Sequence, residues 1–80
     1  MRDANTIVVA PTIHDARKAG WLGYTERHVI TPRSLIRLRG RAIRNVRVVG
    51  YRRDEPTLAK VMDEVMRSAL RYGAPLITYH

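Results

Sequence analysis

Eighty residues without a cysteine allow one small domain of modest stability and exclude disulfides, thiol catalysis and cysteine-held zinc or iron–sulfur sites. The apolar share of 45% is ordinary for a globular protein, and no apolar run is long enough to cross a bilayer. The charge is the unusual quantity: +8 overall, with no acidic residue among the nine arginines from Arg27 to Arg53.

The opening, "MRDANTIVVAPT", has only a short apolar stretch before Pro11, too little for the core of a signal peptide, so a soluble cytoplasmic domain over residues 1–80 is expected. Within it "NTIVVA" reads as the first strand. Thr12 then offers a helix cap with Asp15 three residues on, and Ile13, Ala16, Ala19 and Leu22 form an inner stripe that Gly20 weakens and Gly23 ends. The second strand is "HVIT". In "TPRSLIRLRG" Thr31 is placed to cap, Pro32 suits a first helical turn and Gly40 stops a helix of about two turns.

The third strand is "NVRVVGY". The clearest helix follows in "DEPTLAKVMDEVMRSALRYG", with Leu58, Val61, Met62, Val65, Met66 and Ala69 at i, i+3, i+4 spacing. On its outer face Lys60–Glu64 and Asp63–Arg67 fall at i, i+4, while Asp54 and Glu55 suit the positive end of the helix dipole. Gly73 and Pro75 close it before the fourth strand, "PLITY". The first, second and fourth strands are nearly continuous apolar runs, the pattern of strands buried on both faces of a parallel sheet. Right-handed crossovers then make a single three-layer α/β domain, with four parallel strands in the order 2-1-3-4 and helices on both faces. That order is shared by flavodoxin-like sheets.

Little in the chain carries chemistry. No G-x-x-x-x-G-K-[ST] run is present to cradle phosphates, so ATP or GTP hydrolysis is not expected. His14, His28 and His80 lack metal-ligand spacing, and Ser34 and Ser68 lack the glycine neighbours of a nucleophile elbow. The expectation is a protein that is not an enzyme and takes no metal or cofactor. Trp21, Tyr24, Tyr51 and Tyr72 are too scattered for a base-stacking platform, and Met62 and Met66 suit a core. A crevice at the strand C-termini, near Pro11, Thr12, His14, Thr31 and Pro32, is the place where an α/β sheet would take a small ligand.

The arginine run stands above this background. Were the second helix to continue past Gly40, Arg33, Arg37, Arg41 and Arg44 would share one face. Were it to stop there, Arg39 and Arg41 would flank a turn, and Arg44 and Arg47 would approach and enter the third strand. Either arrangement offers guanidinium groups to a phosphate backbone. A solvated arginine face imposed by a GC-rich genome explains the same composition.

Three segments resemble elements of superfamily 2 helicases and phage terminases, in that family's order. "VVAPT" before "DARKA" resembles the strand and loop that reads V-V-A-P-T and then alanine. "VITPRSL" resembles T-P-x-x-L, and "VRVVGYRRDE" the strand that carries the acidic Walker B pair. The chain is also similar to small α/β proteins of phages of actinobacteria, where an "LRGR" turn between strands is common. The resemblance implies a P-loop core stripped of its P-loop, in a phage-encoded accessory protein. The expected partner is an anion, nucleic acid first, held by Arg33, Arg37, Arg39, Arg41 and Arg44. The alternative is a module that docks on an acidic protein surface or self-associates through a sheet edge or the last helix.

Overall fold

The computed structural model describes residues 5–20, 28–38, 42–69 and 73–80. Its strands are β1 (Thr6–Val9), β2 (Val29–Ile30), β3 (Asn45–Val48) and β4 (Leu76–Tyr79), and its α-helices are α1 (Ile13–Lys18) and α2 (Pro56–Ala69). A 3-10 turn, Leu35–Leu38, lies between β2 and β3. The sheet runs β2-β1-β3-β4 with every pair parallel, the order expected from the pattern of strands and crossovers.

Alternation along the strands divides the core into two layers. Ile7, Val9, Ile30, Val46 and Val48 face α2 and pack with Leu38, Ile43, Leu58, Val61, Val65 and Ala69. Val8, Ala10, Val29 and Val49 face the other way, onto Ala16 of α1. The helices therefore cover opposite faces, as a three-layer domain requires.

Local chemistry explains the ends of both helices. Thr12 is extended (φ −144°) and its Oγ1 accepts the Asp15 N–H at 3.2 Å while donating to the Asp15 carboxylate at 2.7 Å. The expected cap is present, and it satisfies one of the orphan donors of the first turn. Ala19 ends α1, and Gly20 follows at φ +68°, a left-handed position that favours glycine. Leu22 and Gly23 lie outside the described residues. In α2, Pro56 takes the first helical position, where its missing N–H costs nothing. Leu58, Val61, Val65 and Ala69 are buried and Met62 is half-buried against them. On the outer face Arg67 reaches Asp63 at 3.1 Å and Glu64 at 3.5 Å. Among the described residues Glu64 thus pairs one turn onward, and the expected Lys60–Glu64 pair does not form.

Two expectations are corrected. The segment after β2 is not a two-turn α-helix capped by Thr31. The Ser34 N–H donates to the Thr31 carbonyl at 3.0 Å, and Ser34 Oγ accepts the Thr31 N–H at 2.9 Å, closing a turn with Pro32 at its second position. Ser34 uses the hydroxyl to fasten a turn, and only one 3-10 turn follows it. The second correction concerns β4. Its apolar run reads like that of β1, yet Leu76, Thr78 and Tyr79 are exposed. The reason is position: β4 is an edge strand, and no described helix lies over its outer side.

Candidate functional site

The switch point lies between β1 and β3, whose following segments leave toward opposite faces. It is filled. Gly50 sits at φ +74° just beyond β3, and a Cβ there would stand 3.0 Å from Pro11 Cδ and 3.1 Å from Asp15 Cβ. Glycine is needed both for the left-handed backbone and for the close approach. Beside it the Tyr51 hydroxyl is hidden from solvent and has no hydrogen-bond partner. Burial first, then the charges of Glu55 and Asp15, raise its pKa above the ordinary phenol value. The crevice therefore presents carboxylates and a filled backbone contact where a phosphate would need donors.

The crevice residues named from the sequence do not converge. Pro11 packs at Gly50, Thr12 is committed to capping, and His14 is exposed on α1. Thr31 is buried in its turn with Ser34. Pro32 instead lines a groove of 420 Å³ between the 3-10 turn and α2, floored by Leu35 and Val61 and rimmed by Lys60, Asp63 and Glu64. Mixed charge on that rim gives no preference for an anion. Among the described residues, no three acidic, histidine or cysteine side chains gather in a way that suits a metal ion. No described helix is long and apolar enough to cross a membrane.

The arginines are spread over both ends of the sheet. Arg33 is exposed in the turn after the C-terminal end of β2, and Arg44 is exposed just before the N-terminal end of β3. Ile30 and Val48 are level through their shared register with Val9, so the two arginines are separated by at least about 13 Å along the strands. Arg37 belongs to the 3-10 helix, and Arg39 and Arg41 lie outside the described residues. A common α-helical face for Arg33, Arg37, Arg41 and Arg44 is thereby lost, because a 3-10 turn rotates by three residues rather than 3.6.

One arginine gains importance from the fold. Arg47 lies at the centre of β3, between Val8 on β1 and Thr78 on β4, and faces away from α2. It is half-buried, and its Nε is shielded from solvent without an acceptor. Such a nitrogen is rare in folded proteins. In the sequence Arg47 is visible as an arginine entering the third strand in "NVRVV", and nothing there says that its Nε is shielded without an acceptor. Among the described residues, carboxylate ion pairs engage Arg52 with Asp54 (3.8 Å) and Arg67 with Asp63 and Glu64. Arg53 stacks on the Tyr79 ring, 4.9 Å from its centre. Arg33, Arg44 and Arg47 have no carboxylate in reach among the described residues.

Set against protein-family models, curated protein sequences and solved structures, the chain matches none of them.

Proposed function

We propose that this is a non-enzymatic, phage-encoded accessory protein that binds an anionic partner, nucleic acid first, through its arginine-rich middle third. The observation that carries the reading is the state of Arg47: a half-buried side chain on a central strand, its Nε shielded without an acceptor and no carboxylate in reach among the described residues. Arg44 stands three residues away with its side chain exposed, and Arg33 adds charge at the far end of the sheet. A guanidinium in that setting is stabilised by a phosphate oxygen far more than by bulk water. Arg37, Arg39 and Arg41 belong to the same run and enter the proposal by their charge alone.

A phage origin and descent from a P-loop core draw on the "VVAPT" and "VITPRSL" resemblances, and a parallel sheet in the order 2-1-3-4 is consistent with them. The filled switch point supports a role without nucleotide hydrolysis. The test is a titration with duplex and single-stranded DNA at several salt concentrations, using wild type and Arg37→Glu, Arg41→Glu and Arg44→Glu. Phosphate contacts carry no sequence information, so the reversals should weaken binding about equally for unrelated sequences. Binding that persists at physiological salt and falls in the reversals supports the proposal. No measurable binding there rejects it in favour of an acidic protein partner.

A further inference from the structure

The edge of the sheet at β4 is open in a specific way. The Leu76 N–H donates to the Arg44 carbonyl at 2.9 Å, and the His80 N–H donates to the Val48 carbonyl at 2.8 Å. In a parallel pair, alternate residues turn both backbone groups toward the neighbour. Leu76, Thr78 and His80 therefore bond inward, and Ile77 and Tyr79 point N–H and C=O outward. Neither finds a backbone partner there among the described residues. Edge strands are ordinarily blunted by a charge, a proline within the strand or a bulge. The four residues of β4, "LITY", have none of these, and Leu76 is 68% and Tyr79 40% exposed.

The geometry points to antiparallel pairing of β4 with the β4 of a second copy of this chain, about a two-fold axis at Thr78. An identical strand is the occupant because β4 is complementary to itself in that register. Ile77 comes opposite the partner's Tyr79 and Tyr79 opposite the partner's Ile77. All four positions have outward backbone groups, so the two pairs exchange four hydrogen bonds. Moving the axis to Ile77 would bring Tyr79 opposite the partner's Pro75, which has no N–H, and leave the Tyr79 carbonyl unpaired. At the Thr78 axis the side chains also match: Ile77 meets an aromatic ring, a favoured cross-strand pair, and Leu76 meets the partner's His80. The product is a continuous eight-stranded sheet with isologous two-fold symmetry.

Four residues a side bury less than the roughly 1,200 Å² of a stable interface, so the dimer is reversible and depends on concentration. Each copy carries a net charge of +8, so salt screens their repulsion and favours pairing. That is opposite in sign to the effect of salt on DNA binding, and the inference does not rest on the proposed function.

Sedimentation equilibrium without DNA, over a range of protein and salt concentrations, tests it. Wild type should move from monomer to dimer as concentration rises, and at lower concentration when salt is high. Thr78→Lys and Thr78→Glu place like charges opposite each other at the axis, and each alone should weaken association by about fivefold. Mixed together, the two should form a heterodimer at least as readily as wild type pairs with itself. Tyr79→Pro removes an outward N–H and leaves the inward ladder intact, so it should also weaken the dimer; circular dichroism confirms that each variant is folded. A wild type that stays monomeric at every concentration would overturn the inference. So would Thr78→Lys or Tyr79→Pro associating as wild type does, since that places the contact elsewhere.

Discussion

The two faces of the sheet draw on the same strands and are built differently. Toward α2, eleven buried residues form one layer that joins β1, β2, β3, the 3-10 turn and a helix of fourteen residues, with Ile77 of β4 packed beside it. Toward α1 the described residues contribute five buried side chains, Ala16 of the six-residue helix among them and none from β4. Strand alternation obliges β3 and β4 to show every second residue to that thinner side, and there they show Asn45, Arg47, Leu76 and Thr78. The α2 layer holds the fold, and the described residues fill the opposite layer less completely. Among the described residues the larger share of apolar burial lies on the α2 face, and Arg47, whose Nε is shielded without an acceptor, stands on the other.

The comparison breaks first if the α2 face is less committed than it looks. Val65→Asp places an unpaired carboxylate in a fully buried position, at a cost of several kcal/mol, which approaches the whole stability of so small a domain. Thermal melts followed by circular dichroism should show loss of the cooperative transition; an unchanged Tm would mean that α2 is not packed here. Ile7→Ala on the same face should lower the unfolding free energy by about 2–5 kcal/mol. Thr78→Ala on the other face should change it by no more than about 0.5 kcal/mol. Urea titrations of the pair measure the contrast directly, and equal costs would erase it.

Smaller effects sharpen the picture at the switch point. Gly50→Ala adds a Cβ 3.0 Å from Pro11 at a left-handed φ, and should destabilise by about 1–3 kcal/mol. Tyr51→Phe should cost nothing and gain up to about 1 kcal/mol, because the lost hydroxyl has no partner. The Tyr51 pKa is higher in the folded state than in the unfolded chain, where it is near 10.0. Its contribution is then fully present below that unfolded value and is lost as pH rises through the folded one. Wild type should therefore lose stability faster than Tyr51→Phe in alkaline melts, and parallel pH profiles would show that Tyr51 is solvated.

Much of this architecture was legible in residue patterns. The apolar runs "NTIVVA" and "HVIT", the Thr12 cap and the spacing from Leu58 to Ala69 identify β1, β2, α1 and α2, and short right-handed crossovers lead to the strand order. Between β2 and β3 the pattern misled, because Thr31-Pro32 suits a helix start and a turn equally well. The choice was made by Ser34 Oγ, a hydrogen bond that no periodicity displays. For β4, an apolar run reports hydrophobicity and not whether a neighbour lies beside it. Arg47 shows the same limit for the site. Its chemistry was in plain view, but the shielding of its Nε depends on which strand stands on either side.

On the proposed function, Arg47 recognises an anion from the face turned away from α2 without holding the fold together. Arg47→Met keeps the aliphatic stem and removes the guanidinium, so DNA titrations over a salt series, paired with a thermal melt, test it most directly. The variant's Tm should equal or exceed that of wild type, since a shielded nitrogen without an acceptor is lost. Its binding to unrelated DNA sequences should be weaker, with the slope of log affinity against log salt reduced in size by about 0.9. Unchanged affinity and slope, or a variant that no longer folds, would contradict that role.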